Sequence, residues 1–227
     1  MCFWNDRFII DSLNTPGDIV ARPTEFDRGQ ALDAAMRLFW IRGYGASSLE
    51  QLTHAMGVSR SSLYSTFGDK RGLFQEALRL FSQRTQSILE REWCEAEPLV
   101  TLPRFFSATI LEVPRRRAAR GCLLVNSVLE LRGVEDDLNQ YAAQELAHVE
   151  KVFERCFSEA QARHQYPRRR SPSALAAQAM LINQGLRARC RAPRTPEAIR
   201  SEIDLACALL DLPRLDSNPE RLQQTPG

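Results

Sequence analysis

Residues 59–64, Ser59-Arg60-Ser61-Ser62-Leu63-Tyr64, crowd hydrogen-bonding side chains into fewer than two helical turns. An arginine at such a place can bond both acceptors of a guanine edge, and short hydroxyls can reach a base edge or a nearby phosphate. Arg60, Ser61 and Ser62 are the candidates for that chemistry. Ser48, Tyr64 and Lys70 suit phosphate contacts, which fix register without reading sequence. Ser59 joins this group as the residue placed to cap their helix. A second set surrounds Cys122. Arg115, Arg116, Arg117 and Arg120 precede it, and it opens an apolar helix. Positive charge and a helix N-terminus both favour a thiolate, so Cys122 is a candidate for attack on electrophiles or oxidants. The competing reading is a small buried hydrophobe beside Leu123, Leu124 and Val125. Asn126 and Ser127 are polar groups inside that apolar run. They either satisfy local backbone groups or line a ligand pocket.

Other chemistry finds little footing. Glu145-x-x-His148 stands without a second copy, whereas a di-iron carboxylate bundle needs two such motifs. No glycine-rich phosphate loop and no Ser/His/Asp arrangement occurs, so an all-α enzyme is a remote alternative. The cysteines, Cys2, Cys94, Cys122, Cys156, Cys190 and Cys207, are scattered without a metal-binding spacing. No metal or cofactor is expected.

The elements that must position the first set are two short helices over residues 48–67. Ser48 can cap the first, whose inner face is Leu49, Leu52 and Met56. Gly57 sits where the chain must turn, in a conformation glycine adopts without steric cost. Ser59 then caps the second helix, whose inner face is Leu63 and Phe67 and whose outer face shows the polar donors. A helix-turn-helix of this kind places its second helix in the DNA major groove. A helix ahead of it, capped by Thr24 and running to about Arg42, carries the apolar stripe Ala31, Leu32, Ala35, Leu38 and Phe39.

This stretch resembles the DNA-binding signature of TetR/AcrR-type transcriptional regulators. The resemblance rests on Leu38-Phe39-x-x-x-Gly43-Tyr44, Leu49–Met56, Gly57-Val58-Ser59, Leu63-Tyr64-x-x-Phe67 and Lys70-x-x-Leu73, and covers about residues 25–75. It implies an all-helical homodimer, usually a repressor, that leaves a palindromic double-stranded DNA operator when a small-molecule effector binds the C-terminal domain. Gly121-Cys122-Leu123-x-x-Asn126 resembles a pattern of one branch of that family. The same implied architecture pairs the last two helices across a two-fold axis. On it, the stripes Leu175, Ala179, Ile182, Leu186 and Ile199, Ile203, Ala206, Leu210 are the expected seam, with Ala176, Ala177 and Gly185 suiting close approach.

Composition agrees with a folded regulator. The chain has 227 residues, 44% of them hydrophobic, and a net charge of +2. Residues 25–71 hold six basic and five acidic side chains, a balance of +1. Bulk charge therefore cannot supply DNA affinity, which must come from a few placed contacts doubled by dimerisation. No apolar run approaches the length of a membrane span, and Met1–Val20 lacks the long apolar block of a secretory signal, so a cytoplasmic protein is expected.

The predicted fold is all-α. An arm covers residues 1–24, a three-helix DNA-binding domain 25–71, a helical ligand-binding and dimerisation domain 72–215, and a polar, disordered tail 216–227. In the larger domain, helices are predicted over 70–95, 102–111, 118–131, 135–165, 173–189 and 196–212, with a basic linker at 113–117. The first of these runs from one domain into the other and can act as a lever.

Overall fold

The computed structural model describes residues 26–94 and 96–214; the expectations placed on residues 1–24 and 216–227, and the Thr24 cap, lie outside them. All regular structure among the described residues is helical. Helix α1 spans Arg28–Arg42, and Asp27 caps it by accepting from the Gly29 and Gln30 amides at 2.8 and 3.0 Å. Helices α2 (Leu49–Met56) and α3 (Arg60–Phe67) follow. Gly57 turns the chain between them in the left-handed region, φ 66° and ψ 30°, as the sequence requires. Helix α4 runs from Lys70 to Glu92, capped by Asp69.

The second half departs from the simple reading in one region. The helix expected over 102–111 begins with a 3₁₀ turn at Pro98–Val100, continues as α5 (Thr101–Phe106), and widens into a π-turn over Ser107–Leu111. The Glu112 amide bonds the Ser107 carbonyl across that turn at 2.9 Å. The basic linker folds into a short helix, α6 (Arg115–Ala118). Gly121, at φ 71°, then breaks what apolar periodicity had suggested was one helix, so α7 covers only Leu123–Leu131. Helices α8 (Asp136–Ala162), α9 (Pro172–Arg189) and α10 (Pro196–Leu209) lie within three residues of expectation. Thr195 caps α10 through the Ala198 amide, with Pro196 in its first turn.

Two cores hold these helices, and they do not divide at residue 72. One joins Phe39, Leu52, Leu63, Phe67, Leu73, Phe74 and Leu78 to Cys122, Leu123, Leu124, Leu131 and Leu138 from α7 and α8. The other packs α5, α8, α9 and α10 around Phe105, Phe106, Phe153 and Phe157. The three-helix unit thus shares its core with α7 and the start of α8.

The predicted dimer stripe faces inward. Leu175, Ala179, Leu186, Ile199, Ile203, Ala206 and Leu210 are buried within the chain, and Ile182 is half-buried. These helices carry two apolar faces, and the denser one closes the chain's own core. The opposite face leaves Leu181, Leu205 and Leu209 exposed at 71%, 60% and 55%, next to Ala174, Gly185, Ala188 and Ala208.

Candidate nucleic-acid interface

The geometry of α3 follows from its caps and its two buried side chains. Leu63 and Phe67 are buried in the core where α3 meets α2 and α4, and they set the helix's rotation. Arg60, Ser61, Tyr64 and Ser65 therefore project outward. Ser59 caps the helix, accepting from the Ser62 amide at 3.1 Å, and its hydroxyl lies 2.8 Å from both the Ser61 and Ser62 hydroxyls. This cluster orders the N-terminal turn, where unpaired amides and the helix dipole favour an anion. The Arg60 guanidinium has no partner among the described residues, and Tyr64 is 47% exposed although it is a large aromatic residue. An unpartnered arginine and an exposed tyrosine on a rigid helix form a face without an occupant inside the chain.

Helix α2 is fixed ahead of α3 by a reciprocal cap. Ser48 accepts from the Gln51 amide at 3.2 Å, and the Gln51 side chain accepts from the Ser48 amide at 3.1 Å. Losing such a cap costs about 1 kcal/mol. The Ser48 hydroxyl is thus a structural group as well as an exposed one. Lys70 is only half-exposed. Its ammonium lies 4.5 Å from the Tyr44 ring centre and 3.5 Å from the Gly45 carbonyl. Burial lowers its pKa, partly opposed by Glu130.

Arg71 is committed elsewhere. It follows Lys70 directly and pairs with Glu135 at 3.1 Å and Asp137 at 2.9 Å. Both carboxylates belong to the start of α8, so this pair joins the ends of α3 and α4 to the larger half of the chain.

A cluster around Tyr44 escaped sequence reasoning. Glu130, near the end of α7, accepts from the Tyr44 and Gly45 amides at 3.0 and 2.7 Å. The Tyr44 hydroxyl donates to Glu135 at 3.0 Å, and its ring packs on Phe74 at 4.9 Å. Burial first, and then the Glu135 carboxylate, push the Tyr44 phenol up to about 12. Gly43 stands in the left-handed region at φ 85°, and a Cβ there would lie 2.6 Å from a Glu130 oxygen. The positive φ favours glycine here, and an added side chain would also have to displace the tip of Glu130. The signal was present in the sequence only as Gly43-Tyr44; its partner lies 86 residues away.

The second predicted set separates. Cys122 is buried, 8% exposed, at the N-cap of α7. Arg117 and Arg120 turn away to lie over Trp40, at 5.7 and 5.8 Å. Ser127 bonds the Leu123 carbonyl one turn back at 2.8 Å, the local-backbone reading. Asn126 also bonds local backbone, its side-chain amide donating to the Arg120 carbonyl at 3.1 Å, while its oxygen accepts from Arg191 at 3.0 Å. Glu145 is buried against Ser82 and Gln86, with His148 at 3.5 Å. No group of three or more metal-ligating side chains is assembled among the described residues, and no helix there is long and apolar enough to cross a membrane.

Comparison with known proteins agrees with this geometry. Residues 31–77 match the family described as bacterial regulatory proteins, tetR family, and residues 98–205 match the tetracyclin repressor-like C-terminal domain. The HTH-type transcriptional repressor ComR of Escherichia coli K12 is 32% identical over 148 residues, 64% of this chain and 70% of that repressor. DhaR, a repressor of the same type from Mycobacterium sp. strain GP1, is 25% identical over 174 residues, 76% of this chain and 86% of DhaR. Among solved structures, a cysteine-substituted variant of the TetR family regulator CifR, complexed with 26-base-pair double-strand operator DNA, superposes with a TM-score of 0.67. It is 27% identical and covers 82% of this chain and 98% of its own. With α2 and α3 forming a capped helix-turn-helix inside the first matched region, and helices α5–α10 filling the second, the chain belongs to the tetR family of bacterial regulatory proteins.

Proposed function

We propose that this protein is a transcriptional repressor that binds a palindromic operator as a homodimer and leaves it when a small effector binds the C-terminal half. The observation that carries the reading is the unoccupied outer face of α3. Arg60 stands without a partner among the described residues and Tyr64 is exposed, on a helix whose opposite face is locked into the core. Arg60, Ser61 and Ser62 address base edges or adjacent phosphate. Tyr64 and Ser48 grip phosphates, and Lys70 offers its remaining N–H groups beside the turn ahead of α2. ComR and DhaR are named repressors, and CifR was solved on operator DNA. The near-neutral charge requires two copies for useful affinity. The exposed Leu181, Leu205 and Leu209 face of α9 and α10 supplies the surface for the second copy.

The test is selection from a randomised duplex library with the full chain. Enrichment of an inverted repeat, its half-sites about 34–36 Å apart or a multiple of that, supports the reading. Recovery of unrelated sequences at background affinity sinks it.

One observation favours a second mode of release. Arg187 is buried beside the Cys122 and Cys190 thiols, and no carboxylate pairs with it among the described residues. Of these two thiols, Cys122 is the cysteine of the Gly121-Cys122-Leu123-x-x-Asn126 pattern. Burial of Cys122 opposes access. Treating wild type and Cys122→Ser with a thiol-reactive electrophile decides it: release from wild type alone supports a thiol switch, and equal release from both removes Cys122 from that role.

A further inference from the structure

A cavity of about 300 Å³ opens where α6, the π-turn and the connection from α9 to α10 meet. That volume is at the lower end of small-molecule sites, about 300–1,000 Å³. Its walls are of two kinds. Ile110, Leu111, Val113 and Ile199 form an apolar floor, and Arg115, Arg116, Arg191 and Arg194 stand around it. No carboxylate lines it. Arg115, Arg116 and Arg191 have no carboxylate within ion-pair distance among the described residues; Arg194 has a long contact to Glu202 at 3.8 Å, and Glu202 itself is taken by Arg189 at 2.6 Å. Glu197 lies near enough to feel the Arg115 charge but is fully exposed. A further uncompensated cation stands behind the wall: buried Arg187 neighbours Cys190, which lines the cavity.

Four arginines bordering a cavity with apolar walls, and no carboxylate among its lining residues, suit an amphipathic anion. A guanidinium matches a carboxylate with two parallel bonds, and such charge-assisted pairs are stronger than neutral ones. A duplex phosphate backbone cannot enter a concave site of this size. The π-turn adds a further pointer, because the wide turn that places Ile110 and Leu111 on the floor is a feature found often at functional sites.

The cavity is also wired to the DNA-binding unit. Arg191 on its rim donates to Asn126 in the first turn of α7 at 3.0 Å. Glu130, four residues on and on the same face of α7, holds the Tyr44 and Gly45 amides ahead of α2. These two contacts are four residues apart, so about 6 Å along α7 separates the rim contact from the clamp on the turn ahead of the recognition helix. On the other side, Arg115 donates to the Arg194 carbonyl and ties α6 to the same rim.

We propose that this cavity binds a small organic carboxylate with a compact apolar body, and that α7 transmits its occupancy from Arg191 and Asn126 to Glu130 and the Tyr44 turn. The proposal rests on the ligand-responsive reading given above and names its ligand class. A carboxylate recruiting Arg191 competes with Asn126 for that guanidinium. Release of Asn126 frees the first turn of α7, and the Glu130 clamp moves with it.

The experiment is calorimetric titration of the full chain, without DNA, with benzoate, phenylacetate and octanoate, and with benzamide as the neutral control. At least one acid binds once per chain and benzamide does not. Arg116→Gln and Arg191→Gln each weaken that acid at least tenfold. Ala119→Trp, a change at an exposed residue of the cavity wall, blocks binding while the melting temperature holds. Failure of all three acids, or binding indifferent to these substitutions, overturns the site. On the selected duplex, the bound acid lowers wild-type affinity at least fivefold, and Glu130→Ala removes that dependence while still binding acid. An acid that binds wild type without changing duplex affinity overturns the transmission. A chain that binds no duplex at all refutes the repressor reading instead, and the DNA-free titration still decides the cavity.

Discussion

At the residue scale, the chain uses the same side-chain types in two opposite ways. Arg60 and Tyr64 are left open on α3, whereas Arg71 and Tyr44 are consumed by carboxylates of the other half. Tyr44 gives a measurable consequence. Its phenol is pushed up to about 12, chiefly by burial and then by Glu135. The neutral phenol is therefore favoured by folding. Its stabilising contribution is fully present below the ordinary tyrosine pKa of about 10 and is lost as pH rises through about 12. A tyrosinate absorbance titration of wild type and Tyr44→Phe should differ by one late-ionising phenol. If the two curves differ only near pH 10, the Tyr44–Glu135 bond is absent in solution. The open residues were legible in the sequence because Leu63 and Phe67 fix which way α3 faces. Arg71 was not, because nothing local marks Glu135 and Asp137 as its partners.

At the element scale, caps and glycines explain most of the helices. Ser48, Ser59, Gly57, Thr195 and Pro196 each act in the structure as their residue type dictates. The reading failed where an apolar run concealed a break. Residues 118–131 look like one buried helix, but Gly121 at φ 71° splits α6 from α7; Arg115 and Arg116 of α6 line the cavity, whereas Arg117 lies over Trp40. The joint between halves depends on a second glycine. Gly43→Ala must accept both positive φ and a contact with the Glu130 carboxylate, so it should destabilise by about 1–3 kcal/mol. Thermal melting checks this, and Glu130→Ala should cost less in the Gly43→Ala background than in wild type, because the contact is removed along with the two amide bonds. A Gly43→Ala melting curve identical to wild type would mean that the turn is not held as described.

At the scale of the whole molecule, one apolar stripe closes the core and a second is left exposed. Hydrophobic periodicity found the stripe with Ile203 and Leu210 but could not say which molecule would bury it. Burial answers that: Ile203 is fully enclosed, and Leu181 and Leu205 are the exposed pair. The proposed assembly therefore predicts that Leu181→Glu and Leu205→Glu give folded monomers with much weaker DNA binding, because each copy then holds a single half-site. Ile203→Glu should instead unfold the chain, since an unpaired charge would sit in the core. Light scattering with circular dichroism separates these outcomes. A dimer that survives both leucine changes would exclude this face as the seam.

The claim on which the rest depends is that the outer face of α3 reads DNA, and it is tested most directly by duplex affinity measured by fluorescence anisotropy. The probe is the selected inverted repeat, with wild type, Arg60→Ala, Tyr64→Ala and the distant exposed arginine change Arg169→Ala. Arg60→Ala should lose about 1–3 kcal/mol of binding, roughly fivefold to 150-fold, and relax preference at one base position. Tyr64→Ala should weaken all sequences alike, and Arg169→Ala should bind as wild type, with helical content unchanged throughout. Wild-type affinity in both α3 variants would contradict the account.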